Sequence, residues 1–251
     1  MNDIIRKTLA SVMTAVVFLG AAAHAQNQPI GVLTAEPKNH NVGPQQAAGL
    51  VVYSHGYMSG LDHTASPTQP YVKHWWGHGY DGYRFNRRYI LDPAADANTL
   101  VEAVRLARSL GYKRVVLTGQ SAGAWTSIIA GSLGVQADGI IAISGSWHGK
   151  VKDQKDLTRV KSEWQRYVNA IRPGARYFIV KFLDDEYDVG GMLEAAKPIF
   201  VQHGVDAILL NYPPGFSGHH AADKNDFNGA YGKCMFKYIE TGVRESPCIG
   251  I

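Results

Sequence analysis

The stretch Arg114-Val115-Val116-Leu117-Thr118-Gly119-Gln120-Ser121-Ala122-Gly123-Ala124-Trp125 constrains the fold more than any other part of the chain. A β-branched run meets a Gly-x-Ser-x-Gly pentad and passes directly into helical spacing, which predicts a strand, a sharp turn and a helix. Such a turn holds Ser121 in an unfavourable backbone conformation, and Gly119 and Gly123 supply the room that lets strand and helix close on each other. The serine hydroxyl is then lifted clear of the sheet. The Ala122 N–H, at the start of the helix, points toward the same spot and adds the positive end of the helix dipole. A nucleophile and one oxyanion donor are therefore expected from a single turn. The pentad alone is a common pattern, and it gains meaning from the strand before it and the helix after it.

At the N-terminus, Asp3, Arg6 and Lys7 precede the apolar stretch Leu9–Ala23, which closes on Ala23-His24-Ala25. This reads as a secretory signal peptide over residues 1–25, too short for a membrane span, leaving residues 26–251 as a single α/β domain. No cysteine stands at the cleavage point, so no lipid anchor is expected. The 25 Lys and Arg residues against 21 Asp and Glu give a net charge of +4 without any block of one sign, which argues against a nucleic-acid partner. The chain's 2 cysteines, Cys234 and Cys248, lie close together near the C-terminus. In an oxidising compartment such a pair is expected to form a disulfide that pins the tail after the last helix.

Apolar runs alternate with helical patterns. Gly49–Ser54, Tyr80–Asn86, Arg114–Thr118, Gly139–Ser144, Ala175–Phe182 and Val205–Asn211 read as buried strands. Ala94–Leu110, Ala122–Leu133, Leu157–Ile171 and Met192–His203 carry helical spacing, and Asn225–Glu240 reads as a closing helix. The alternation predicts a mainly parallel sheet covered by helices on both faces, with ligands at the carboxyl ends of the strands.

Four features in this order resemble the α/β-hydrolase superfamily: Ser54-His55-Gly56-Tyr57 after the first core strand, the Gly119–Gly123 pentad, an acidic cluster after a late strand, and a histidine after the last strand. The resemblance spans about Gly49 to Tyr238, and its style is that of small serine esterases of the dienelactone-hydrolase type with little or no cap domain. A dienelactone hydrolase itself would have a cysteine where this chain has Ser121, a departure that favours ester hydrolysis over lactone chemistry. A serine hydroxyl needs a base within hydrogen-bond reach and a carboxylate to hold that base's tautomer. For the acid, Leu183-Asp184-Asp185-Glu186-Tyr187-Asp188 follows the strand ending at Phe182. The resemblance points to Asp185, with Asp188 and Asp184 as alternatives. For the base, the loop Tyr212–His220 offers His219, with His220 as the alternative. The resemblance also implies the Tyr57 N–H as second oxyanion donor, beside Ala122.

The segment His63–His78 sets Pro67, Pro70, Trp75 and Trp76 among histidines. His74 and His78 have helical spacing, but no acidic third ligand shares their turn, so no metal site is read here. Trp75, Trp76, Trp125 and Phe216 are assigned to the core or the pocket wall, and Trp147, just past a strand end, to the substrate-binding surface. Arg84, Arg87 and Arg88 either meet an anionic substrate or serve the structure. The expectation is an exported, periplasmic or secreted, serine hydrolase acting on a small-molecule ester without a cofactor or stable membrane anchor. A serine peptidase or amidase with the same residues, and a non-catalytic binding protein on the same scaffold, remain as alternatives.

Overall fold

The computed structural model describes residues 27–57, 66–87 and 92–250. The signal peptide expected over 1–25 lies outside the described residues, as do His63 and Arg88. The strands are β1 (Leu33–Ala35), β2 (Gly49–Ser54), β3 (Tyr80–Phe85), β4 (Val115–Gln120), β5 (Gly139–Ile143), β6 (Arg176–Lys181) and β7 (Ala207–Asn211). They form one seven-stranded sheet in the order β1-β3-β2-β4-β5-β6-β7. Every neighbouring pair is parallel except β1 with β3. All six strands expected from the apolar runs are present. The short β1 was not anticipated; a strand of three residues has too little periodicity to show, and its place is set by pairing with Tyr83–Phe85 at the sheet edge.

Both faces of the sheet are covered, because the central strands bury side chains alternately to either side. Leu50, Val52, Val115, Leu117 and Ile140 pack on one face against the helices α2 (Pro93–Ser109), α3 (Ala122–Ser132), α4 (Leu157–Ala170) and α5 (Met192–His203). Val51, Tyr53, Val116, Ile141, Phe178 and Val180 pack on the other, against Trp75 of α1 (Lys73–Gly77) and Met235 and Tyr238 of α6 (Lys233–Thr241). Helix starts follow local chemistry. Asp92 accepts from the Ala94 and Ala95 N–H groups at 3.0 Å ahead of Pro93, and Asp156 accepts from the Arg159 N–H at 3.1 Å.

The closing helix departs from the expected single run. Asn225–Phe227 is one α turn, Asn228–Gly232 widens into a π turn, and α6 follows. Gly232 lies where a Cβ would strike the Asn228 and His74 side chains, so the wide turn accommodates a close approach by α1. His74 and His78 serve packing in this region, with the His78 ring stacked on Phe236 at 4.1 Å. Beyond α6 the tail is tied back by the Cys234–Cys248 disulfide, whose Cα atoms are 5.8 Å apart.

The order of strands creates the crevice that matters for function. From β2 the chain crosses to β3 on one side, and from β4 it crosses to β5 on the other, so the loops leaving two adjacent strands diverge. Parallel sheets bind ligands at such a switch point. Here it falls between Ser54 and Gln120, the last residues of β2 and β4. Replacing both cysteines with alanine is expected to leave the sheet intact and to lower unfolding free energy by about 3 kcal/mol in the loop-entropy picture. Urea denaturation of the oxidised protein against the double variant measures this.

Candidate active site

Ser121 stands between β4 and α3 with φ 54° and ψ −120°, a strained conformation for a residue with a side chain. The glycines beside it are required by contact. A Cβ on Gly119 would run into the Gly123 backbone, and one on Gly123 would overlap the carbonyl oxygens of Ser54 and His55. The turn is held by its own hydrogen bonds: the Ser121 N–H donates to Ile143 O at 3.0 Å, and Ser121 O accepts from the Trp125 N–H at 3.0 Å and the Ser146 N–H at 3.2 Å. Ala122 is the first residue of α3, where backbone N–H groups have no partner within the helix.

Ser121, Ala122, Tyr57, Trp147 and His219 line one cavity of about 420 Å³. His219 is buried, and its Nδ1 lies 2.8 Å and 3.0 Å from the two carboxylate oxygens of Asp185. An ionised carboxylate only accepts, so Nδ1 carries a proton, and in the neutral imidazole it is Nε2 that has the lone pair. Burial raises the Asp185 pKa, but the hydrogen bond and charge of His219, the Tyr187 N–H at 2.9 Å and the charge of Lys181 outweigh it and hold the carboxyl below its ordinary value. The Tyr187 ring packs on His219 at 4.3 Å between centroids and limits its rotation.

The alternatives considered for acid and base have other partners. The Asp188 side chain is buried against Lys181, Oδ1 to Nζ 3.1 Å, and accepts from the Tyr212 hydroxyl at 3.1 Å. Asp184 lines a shallower hollow beyond His219, with Glu186 and Lys224. His220 is exposed and pairs through Nδ1 with Asp223 at 2.9 Å. The geometry thus joins His219 to Asp185. Spacing alone left these choices open because adjacent loop residues point in different directions once the chain turns, as Asp184 does at φ 55°.

Two buried cations hold the loops around the cavity. Arg87 donates from Nη1 to His55 O at 2.7 Å and from Nη2 to Gly56 O at 2.9 Å, with Asp96 at 4.0 Å from its Nε. The Gly56 carbonyl and the Tyr57 N–H belong to one planar trans peptide, so anchoring the first fixes the direction of the second. Burial lowers the Arg87 pKa to about 10 in spite of Asp96, which still leaves it charged at neutral pH. Arg84 is likewise structural, donating to Ser66 O and pairing with Glu36 at 3.7 Å. Lys181, 2% exposed, donates to Gly145 O at 2.8 Å and pairs with Asp188, which ties the loop after β5 to the acidic loop after β6. The signal for Lys181 in the sequence is its charge inside the apolar run Phe178–Phe182. Trp147 lines the cavity, whereas Trp75 and Trp125 lie in the core and Trp76 and Phe216 pack against it. Among the described residues no group of three or more His, Cys, Asp or Glu is placed to hold a metal ion.

Two outcomes follow from these contacts. Lys181→Met strands the Asp188 carboxylate in the interior and is expected to cost about 3–5 kcal/mol of stability, read from urea denaturation. Asp185 has a lowered native pKa, so its carboxylate contributes stability that is present above its unfolded value near pH 4 and is lost as pH falls through the native value. The stability difference between wild type and Asp185→Asn, measured in urea, should therefore shrink between pH 7 and pH 3.

No protein-family description matches the sequence, and no curated protein does. Solved structures do. A truncated carbohydrate esterase from gut microbiota superposes with a TM-score of 0.59 at 13% identity, covering 86% of this chain and 96% of its own. A Klebsiella pneumoniae protein assigned as a dienelactone hydrolase gives 0.57 at 13%, covering 82% and 90%. A Mycobacterium tuberculosis peptidase that hydrolyses puromycin gives 0.56 at 13%, covering 90% of this chain but 39% of its own. At such identities the likeness concerns the backbone: this chain has the α/β-hydrolase fold, with a mainly parallel sheet between two layers of helices.

Proposed function

We propose that the protein is a serine hydrolase that cleaves carboxylic esters through an acyl-enzyme. The observation that carries this reading is the His219–Asp185 contact of 2.8 Å in the same cavity as Ser121, whose backbone sits at φ 54°. In this mechanism Ser121 Oγ attacks the ester carbonyl and His219 Nε2 takes its proton. Asp185 holds the imidazole in the tautomer that leaves Nε2 free and stabilises the imidazolium that forms. The tetrahedral oxyanion is received by the N–H groups of Ala122 and Tyr57, each such donor contributing about 2.7–4 kcal/mol to lowering the barrier. His219 then returns the proton to the leaving alcohol, and water repeats the attack on the acyl-enzyme.

A peptidase or amidase would use the same groups. The ester reading is favoured because the esterase likeness covers 96% of that enzyme, whereas the peptidase carries most of its length outside the shared region. Export to the periplasm or beyond is part of the proposal, supported by the Cys234–Cys248 disulfide. No helix among the described residues is long and apolar enough to cross a membrane.

Labelling with a fluorophosphonate, followed by intact-mass analysis, tests the reading. One adduct is expected on wild type and none on Ser121→Ala, with esterase kcat falling by a factor on the order of 10⁶ in the variant. An unlabelled wild-type protein would overturn the mechanism and favour the non-catalytic alternative. Faster turnover of an anilide than of the matched ester would favour the amidase.

A further inference from the structure

One end of the catalytic cavity is polar in a way that acyl transfer does not use. Tyr53, near the end of β2, lines the cavity while only 4% exposed, and its phenol has no hydrogen-bond partner among the described residues. Asp223 and His220 line the same cavity. The Asp223 carboxylate is fixed by Gln69 Nε2 on Oδ1 at 2.7 Å and by His220 Nδ1 on Oδ2 at 2.9 Å. A carboxylate can accept about four hydrogen bonds, so both oxygens retain acceptor capacity.

The protonation states decide what this end can bind. Burial, with Tyr71 and Asp223 nearby, pushes the Tyr53 pKa well above its ordinary value, so the phenol keeps its proton and can donate. The hydrogen bond to Asp223 raises the His220 pKa. Burial raises the Asp223 pKa, but its bonds to His220 and Gln69 outweigh this and keep it ionised. A ligand group here must accept from a phenol and donate to a carboxylate. A carbonyl oxygen only accepts, an ammonium only donates, and a carboxylate is repelled by Asp223. A hydroxyl group does both.

We infer that Tyr53, Asp223 and His220 form a subsite for a free hydroxyl of the substrate, so that the esters hydrolysed are those of hydroxylated molecules such as partly acylated polyols or sugars. The inference rests on the ester-hydrolase reading and names its substrate class. The Tyr53 phenol, which has no hydrogen-bond partner among the described residues, faces the cavity and disfavours an apolar group in this place, and a substrate hydroxyl can bond phenol and carboxylate together.

The test compares kcat/KM for propyl butyrate, glycerol 1-monobutyrate and propyl 3-hydroxybutyrate, which place the hydroxyl on neither side, the alcohol side or the acyl side of the ester. At least one hydroxylated ester is expected to exceed propyl butyrate by about tenfold in wild type. That ratio should collapse toward one in Tyr53→Phe and in Asp223→Ala. Because the ratio is taken within each variant, a general loss of folded enzyme lowers both terms and leaves it unchanged. A wild-type ratio near one for both hydroxylated esters would overturn the inference while leaving the hydrolase reading in place. So would a ratio that survives both substitutions, or a stronger preference for monoethyl succinate, whose carboxylate Asp223 should repel. Absence of turnover on every ester, together with no fluorophosphonate adduct, would overturn the hydrolase reading and this one with it.

Discussion

Ser121 can stand where it does only because the first turn of α3 lies directly against the end of β2. Gly123 faces the carbonyl oxygens of Ser54 and His55 without room for a single methyl group. That contact brings together the turn carrying Ser121 and Ala122 and the loop carrying Tyr57, and it gives the two expected oxyanion donors a common origin. It also accounts for the strained φ of 54°, since relaxing the turn would swing α3 away from the sheet. The strain is borne by surroundings that over-determine it: a helix buried along nearly its whole length and strands paired on both sides of β4.

The loops that complete the cavity are held differently, by buried ions. Arg87 gathers the His55 and Gly56 carbonyls, and Lys181 gathers Gly145 O and Asp188. Each cation satisfies backbone acceptors that leave their strands too abruptly to find partners in the sheet. Taking such charges out of water is expensive, and a well-packed apolar pair would often stabilise a fold as much. Their value in this place is directional. A guanidinium with two fixed donors sets the orientation of a peptide plane, and a buried ammonium between two loops sets their separation, so the surfaces facing Ser121 keep one arrangement. His219 is positioned in the same manner, between the Asp185 carboxylate at its edge and the Tyr187 ring at its face.

The core strands and helices were legible in the sequence because both depend on short-range pattern. Gly49–Ser54 and Met192–His203 coincide with their observed limits, and the other expected strands and the helices before residue 204 differ only at their ends. Elements that depend on partners far along the chain were not legible. The three residues of β1 become a strand by pairing with β3, and the π turn at Asn228–Gly232 arises where α1 presses on the last helix.

The candidate site divides along the same line. The Gly-x-Ser-x-Gly turn carries its own geometry in five consecutive residues, and the sequence by itself determined that a serine would sit between a buried strand and a buried helix, because the steric demands of that turn are local. The contact of Asp185 with His219, the seating of Arg87 and Lys181, and the placing of Tyr53 and Asp223 on one cavity depend on the tertiary structure alone. Those contacts join residues 34 positions apart for Asp185 and His219, 32 for Arg87 and His55, and 36 for Lys181 and Gly145. A hydrogen bond across such a separation is set by where the sheet places two loop ends, and no periodicity along the chain records that distance.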